Sequence, residues 1–148
     1  MIIKQINWEQ IFSIWHDELW VGRKTEIKPT NGLKLLGGFD KNIEDNISTF
    51  FGLFNNDELI GVNSGHTTID NKYRSRGLFV KSEWRLLGAS QLLLQAVEDQ
   101  AKKESKNLLW SMPRKSSLAA YKKFGFILVS DVVDSMEFGP NYYVIKHI

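Results

Sequence analysis

The pattern of apolar and polar positions along the chain predicts an α/β protein. Segments where apolar residues alternate with polar ones, or where β-branched and aromatic residues cluster, predict seven strands, at 2–6, 48–54, 58–68, 72–80, 108–112, 126–137 and 141–147. Apolar residues at helical spacing predict three helices, at 8–20, 89–104 and 116–123. The helix at 89–104 joins two strands that we therefore expect to be parallel, whereas the turn at 55–57 favours a hairpin. The expected fold is a mixed, mostly antiparallel sheet with helices on both faces.

Capping residues support two of these helices. Asn7 and Gln10 stand at the start of the first helix with the spacing of a capping box. Gly125 follows the last helix, at the position where glycine commonly ends a helix. Residues 22–47 contain Pro29 and several glycines, and they predict only loops or short helices.

The turn between the fourth strand and the second helix carries the strongest functional signal. A strand ends at Leu78-Phe79-Val80, and a helix opens at Gly88-Ala89. The first N–H groups of a helix have no partner within it, and together with the helix dipole they favour a bound anion such as phosphate. Small residues at this turn let a pyrophosphate approach the backbone.

Two motifs of the chain resemble the GNAT superfamily of N-acetyltransferases. Arg85-Leu86-Leu87-Gly88-Ala89-Ser90 is similar to the (Gln/Arg)-x-x-Gly-x-(Gly/Ala) turn of that family, whose backbone amides bind the pyrophosphate of acetyl-CoA. Ser117-Leu-Ala-Ala-Tyr121-Lys-Lys-Phe-Gly125-Phe126 is similar to its second segment, a short helix that carries a Tyr and is closed by Gly-Phe. The two motifs follow each other in the family's order and, with the preceding strand, cover residues 74–126.

The resemblance implies a single GNAT-like domain over residues 1–148, with a parallel pair of strands that splay apart. It also implies that acetyl-CoA is the co-substrate, and that its acetyl group moves directly to a primary amine without a metal. The residues that would contact acetyl-CoA are Leu78, Phe79, Val80, Arg85, Leu86, Leu87, Gly88, Ala89, Ser90, Arg114 and Ser117.

Tyr121 is the candidate proton donor to the departing CoA thiolate. A phenol with a pKa near ~10 can protonate a thiolate whose conjugate acid has a pKa of about 8.5, if the anion is stabilised beside it. The general base is open. Many family members carry a Glu where this chain has Arg74, and a guanidinium cannot accept a proton. His66 on the preceding strand is a candidate base, and a water chain or an acceptor that arrives neutral are alternatives.

Trp20 is the candidate contact to the acceptor amine. It lies off the aromatic stripe of the first helix and next to Asp17 and Glu18, and the helices after the first strand shape the acceptor pocket in the family that the chain resembles. The acceptor itself stays open between a polyamine, an amino acid, an antibiotic, a peptide N-terminus and a protein lysine.

The chain departs from the family pattern at three positions, and two of these departures support an alternative function. Ser90 takes the place of the last Gly or Ala of the turn, and Arg114 stands where the family often has an Asn that contacts the cofactor. Arg114 could pair with a phosphate instead. Arg114 in place of Asn and the missing Glu at position 74 favour a degenerate GNAT-like domain that binds CoA or a protein partner without catalysis, whereas the small Ser90 can be tolerated in the turn.

Composition and charge narrow the choice of partners. The net charge of +2 is too small to argue for nucleic acid, and the histidines lack the spacing of metal ligands. The chain has no cysteine and no apolar run of the ~18 residues that a membrane span needs. We expect a cytoplasmic protein without metal, membrane or nucleic acid, and a homodimer stays open. Basic residues crowd both motifs, as a polyanion such as CoA would require, at Lys72, Arg74, Arg76, Lys81, Arg85, Arg114, Lys115, Lys122 and Lys123.

Overall fold

A computed structural model describes all of residues 1–148 and contains one seven-stranded sheet. Its strands are β1 (Ile2–Ile6), β2 (Ser48–Asn55), β3 (Glu58–Thr67), β4 (Lys72–Val80), β5 (Leu108–Ser111), β6 (Ile127–Leu128) and β7 (Val144–His147). They lie in the order β1-β2-β3-β4-β5-β7-β6, and every neighbouring pair is antiparallel except β4 and β5. The predicted mixed, mostly antiparallel sheet is confirmed.

The helices are α1 (Trp8–Ile14), α2 (Ala89–Lys103) and α3 (Leu118–Phe124), with a π-helical turn at Trp15–Leu19 and short 3₁₀ turns at Lys41–Asp45, Ser82–Trp84 and Lys115–Ser117. The capping box of Asn7 and Gln10 is present, with both hydrogen bonds formed. Gly125 ends α3 with a φ of 111°, in the left-handed region that favours glycine. Both capping predictions are confirmed.

The parallel pair β4–β5 is short and opens at one end. Its ladder runs over three residues, from Lys72 beside Leu108 to Arg74 beside Trp110. β5 then ends at Ser111, and Pro113 follows, which has no N–H to continue a ladder. The edge of β4 from residue 75 onward therefore faces no strand on that side.

A β-bulge bends β4 where it separates from β5. Ser64 of β3 pairs with Arg76, but two residues earlier Val62 pairs with Phe79, so β4 contains one extra residue at this point. Gly77 lies in the bulge with a φ of 80°. Trp15 packs against it, and the Trp15 indole N–H donates to the Gly77 carbonyl oxygen at 2.9 Å.

The sheet separates two regions of the core. On one face, α2 buries Leu94, Val97 and Ala101 together with Tyr121 of α3. On the other face, the first helix and its π turn bury Ile11 and Trp15 among several half-buried aromatic side chains, Trp8, Trp20, Phe50 and Phe79. The open end of the β4–β5 pair lies between these regions.

The structure differs from the sequence prediction mainly after residue 126. Residues 126–137 do not form one long strand, because only Ile127–Leu128 pair with β7 and Val133 makes an isolated bridge to Asn141. The segment is interrupted by polar residues at 130–131 and 134–135, which favour turns over a continuous ladder. The predicted helix 8–20 is also shorter, since it passes from α-helix to a π turn at Trp15.

None of the helices combines the length and the apolar character that crossing a membrane requires. No three His, Cys, Asp or Glu side chains come together as a group that could hold a metal ion.

Candidate active site

A row of free backbone amides marks the start of α2. None of the N–H groups of residues 86–91 donates a hydrogen bond to another group of the chain. Gly88 is the N-cap residue of α2, with a φ of 82° and without any side chain that caps the helix. At a helix N-terminus, unpaired N–H groups and the helix dipole both favour a negative group. We call residues 86–91 the amide turn.

The amide turn is held to the end of β4 by Arg85. The Arg85 Nε donates to the Val80 carbonyl oxygen at 2.9 Å, and the guanidinium lies over the Phe79 ring at 5.8 Å. Leu86 has a φ of 64°, so the turn reverses within a few residues. The Leu86 and Leu87 side chains are exposed, which leaves the backbone of the turn accessible.

A cavity of about 390 Å³ opens between β4 and β5 where the strands separate. Both faces of β4 contribute to its walls, since Ser75 and Arg76 are consecutive and point to opposite sides of a strand. Ser111 lies at the closed end, and its hydroxyl donates to the Ser75 carbonyl oxygen at 2.7 Å. Residues of the amide turn do not line this cavity.

Tyr121 of α3 lines the cavity and is almost fully buried, with 3% of its surface exposed. Burial raises the pKa of its phenol above the usual value, although the nearby hydroxyls of Ser75 and Ser111 and the charge of Arg74 act in the opposite direction. The hydroxyl therefore keeps its proton at neutral pH. The phenol therefore carries the proton that a general acid needs, although the raised pKa also makes it a weaker acid.

Trp20 forms a half-buried wall of the same cavity. Its ring lies 4.9 Å from that of Trp15, and guanidinium groups lie over it from Arg23 at 4.8 Å and from Arg76 at 5.0 Å. Asp17 and Glu18, three and two residues before it in sequence, are exposed and do not line the cavity.

Arg114 and Ser117 also line this cavity rather than the amide turn. The Arg114 Nη2 donates to the Leu19 carbonyl oxygen at 2.7 Å, and its guanidinium lies over the Phe138 ring at 5.1 Å. Burial lowers the pKa of Arg114. The structure therefore places Arg114 beside Trp20, and not at the pyrophosphate position considered from the sequence.

His66 does not reach the cavity. It is fully buried within β3, where its Nδ1 lies 3.1 Å from the Thr67 carbonyl oxygen and its Nε2 has no partner. Burial, followed by the charge of Arg74, lowers the pKa of His66 to about 3. Because an imidazole with this pKa binds protons weakly and has no access to the cavity, the structure does not support the base role considered for His66.

Several residues of the cavity have no signal in the sequence. The loop after β6 contributes Met136 and Glu137, at the end of the segment 126–137 for which the sequence predicts a strand, and Phe138 directly after it. Arg23 and Asn31 come from residues 22–47, where the sequence predicts only loops or short helices. A loop that folds back over a cavity has no periodic pattern, so its contribution could be found only from the structure.

The chain matches the model of the acetyltransferase (GNAT) family over residues 8–126, and it belongs to that family. A search of curated protein sequences gave no match.

Solved structures with the same fold are distant in sequence. An acetyltransferase of the GNAT family from Staphylococcus aureus Mu50 is similar with a TM-score of 0.68 and 20% identity, covering 99% of this chain and 98% of that one. An IAA acetyltransferase from Bacillus cereus has the same TM-score at 14% identity and covers 99% of each chain. The PaiA N-acetyltransferase from Thermoplasma acidophilum, solved with coenzyme A, has a TM-score of 0.58 at 22% identity and covers 68% of this chain and 61% of that one. At these identities the similarity concerns the fold.

Proposed function

We propose that residues 1–148 form one catalytic domain that transfers an acetyl group from acetyl-CoA directly to a primary amine. The observation that carries this proposal is that β4 leads from the cavity at the β4–β5 opening, which Tyr121 lines, to the unpaired amides of the amide turn. The unpaired amides of residues 86–91 fit a pyrophosphate, and the free edge of β4 fits an extended pantetheine chain. Acetyl-CoA would supply the activated acetyl group as a thioester.

The chain's own residues then have separate parts in the reaction. The free edge of β4 at Leu78, Phe79 and Val80 orients the thioester, and one of its backbone N–H groups faces the carbonyl oxygen as negative charge develops there. Tyr121 donates its proton to the departing sulfur. Each part depends on fixed backbone or on a buried side chain, which keeps the reacting groups aligned.

Deprotonation of the amine is the step for which the cavity offers no obvious base. Glu137 is the only carboxylate in its walls, and this side chain is exposed and accepts hydrogen bonds from Lys24 N and from the Thr25 hydroxyl. The cavity is otherwise cationic, with four arginines in its walls. Positive surroundings lower the pKa of an ammonium group, so we propose that the acceptor enters as the neutral amine.

Consumption of acetyl-CoA in the presence of a panel of primary amines tests the function. We expect formation of free thiol and of the acetylated amine in equal amounts. Binding of CoA without turnover of any amine would instead support the alternative of a domain that binds CoA but lacks catalysis, which the missing carboxylate base favours.

Two substitutions of Gly88 that differ in charge test whether the cofactor binds at the amide turn. Asn and Asp are the residues other than glycine that best tolerate a positive φ, and a Cβ at Gly88 meets no atom within 4 Å. We expect Gly88→Asp to bind CoA about 30-fold more weakly than Gly88→Asn, because its carboxylate faces the pyrophosphate at close range. Calorimetric titration of both variants with CoA measures this ratio.

Thermal unfolding serves as the control for the Gly88 pair. A carboxylate at a helix N-terminus is favourable in itself, so Gly88→Asp should be at least as stable as Gly88→Asn. Pantetheine, which has no pyrophosphate, should bind both variants equally. Equal affinity of the two variants for CoA would show that the pyrophosphate does not bind at the amide turn.

Trp20→Ala tests the acceptor wall. We expect the Michaelis constant for the amine to rise about 10-fold, because the aromatic wall contributes to ground-state binding, while that for acetyl-CoA changes little. Phe12→Ala is the matched control, since Phe12 is an exposed aromatic residue of α1, the helix before Trp20, and does not line the cavity. An equal rise for both substrates would assign Trp20 to the packing of the fold alone.

A further inference from the structure

The cavity between β4 and β5 contains more positive charge than the chain neutralises. Its walls carry one carboxylate, from the exposed Glu137, and four guanidinium groups, which we call the arginine cluster: Arg23, Arg74, Arg76 and Arg114. None of the six ion pairs in the structure involves an arginine. The other basic residues of β4 and its end differ, since Lys72 pairs with Asp70 and Lys81 with Glu58.

Two members of the arginine cluster are buried. Arg74 is 8% exposed and Arg76 is 3% exposed. The Arg74 Nη1 donates to Asn31 Oδ1 at 2.9 Å, but its Nε has no hydrogen-bond partner. The Arg76 Nη1 donates to the Lys28 carbonyl oxygen at 2.7 Å. Burial lowers the pKa of Arg74 to about 10 and that of Arg76 well below its usual value.

Buried charges without a partner are costly, so buried arginines normally pair with an anion. No carboxylate of the chain forms an ion pair with Arg74 or Arg76. Arg74 and Arg76 line an accessible cavity and neither forms an ion pair, so their guanidinium groups can bind an anionic group of a ligand.

The anion does not come from the proposed cofactor. The end of acetyl-CoA that would enter the cavity is a neutral thioester, and its phosphates belong at the amide turn, which does not line the cavity. Arg74 and Val80 are six strand residues apart, or about 20 Å at ~3.3 Å per residue. The remaining ligand of the cavity is the acceptor.

We propose that the acceptor amine itself carries an anionic group, a carboxylate or a phosphate, which pairs with the arginine cluster and above all with Arg74. This inference rests on the proposed acetyl transfer and names its substrate class. A small amino acid or a short amine phosphate has this chemistry and fits a cavity of about 390 Å³. A polyamine or a lysine side chain without a neighbouring anion would meet only repulsion from the cluster.

Matched acceptors test the proposal, with acetylation measured as kcat/KM. One pair is an amino acid and its α-amide, with leucine, methionine and phenylalanine each tested; the other is O-phosphoethanolamine and ethanolamine. We expect the anionic member of at least one pair to react at least about 30-fold better. Removing a carboxylate lowers the pKa of the neighbouring amine, so intrinsic reactivity favours the amide and works against the expected result. A preference within the amino-acid pairs indicates that the cluster binds a carboxylate, and a preference for O-phosphoethanolamine over ethanolamine indicates that it binds a phosphate.

Substitutions in the arginine cluster test whether the cluster causes the preference for an anionic acceptor. Arg74→Gln should raise the Michaelis constant for the anionic acceptor about 100-fold and leave that for its neutral counterpart nearly unchanged. Arg23→Gln, at a half-buried position where folding is less at risk, should act in the same direction. Lys72→Gln is the control, because Lys72 lies on the same strand but outside the cavity.

A turnover-independent measurement separates this inference from the proposed function. With CoA bound, the anionic members should raise the thermal midpoint of the wild type but not that of Arg74→Gln. If CoA binds and neutral amines are acetylated as well as anionic ones, the acetyltransferase stands and the anionic acceptor is refuted. If Arg74→Gln slows both acceptors equally in kcat, Arg74 stabilises the transition state and the substrate assignment is wrong. If CoA binds but no anionic amine is acetylated or raises the midpoint, the inference is also refuted.

Discussion

Replacing Tyr121 with Phe should lower the single-turnover rate of acetyl transfer by roughly 10²–10⁴-fold, the usual contribution of a general acid. Phe keeps the ring, which packs against Phe126 at 5.3 Å between centroids, and removes only the hydroxyl. Affinity for acetyl-CoA and stability should therefore stay close to wild type. Rapid mixing of the enzyme–acetyl-CoA complex with a saturating concentration of the amine measures the rate of the chemical step before product release.

Tyr143→Phe is the matched control for this prediction. Tyr143 is also a buried tyrosine near Arg74, but it does not line the cavity. Its loss of a hydroxyl should leave the single-turnover rate unchanged. An undiminished rate in Tyr121→Phe would show that water, or no acid, protonates the departing thiolate.

The parts of the fold that the sequence predicts best are those with a local cause. Periodicity and capping residues identify β4, α2 and both capped helix ends, because each depends on neighbours a few residues away. The sequence likewise predicts the amide turn, because the small residues Gly88 and Ala89 stand between a predicted strand and a predicted helix. The long strand predicted at 126–137 is wrong, because β-forming residues at 132–133 pair only in an isolated bridge.

The cavity is harder to predict because it depends on contacts far apart in sequence. The sequence indicates that basic residues crowd the two motifs, but it assigns them together to one polyanion. In the structure they separate, as Arg85 holds the amide turn to Val80 while Arg74 and Arg114 turn into the cavity. Which side of the sheet a guanidinium faces follows from the register of β4 and its bulge, and these are tertiary properties.

The bulge of β4 gives the prediction with the largest effect on stability. We expect Gly77→Ala to lower the free energy of unfolding by about 4 kcal/mol, combining strain at positive φ with overpacking. The φ of Gly77 is 80°, and a Cβ there would lie 2.3 Å from the Trp15 ring. Trp15 cannot move aside easily, since it is fully buried and its indole donates to the Gly77 carbonyl oxygen. Urea unfolding followed by fluorescence measures the loss.

Gly22→Ala separates the two causes of this loss. Gly22 has a similar φ of 73°, but a Cβ there meets no atom within 4 Å, so its replacement should cost only the conformational strain of about 1 kcal/mol. If both variants lose the same stability, the contact between Gly77 and Trp15 does not restrict the bulge. If Gly77→Ala loses much more, the indole fixes the bulge. Trp15 also packs against Trp20 with its ring tilted by 52°, and the Arg76 guanidinium lies over the Trp15 ring. The contact between Gly77 and Trp15 then couples the separation of β4 from β5 to the shape of the acceptor wall.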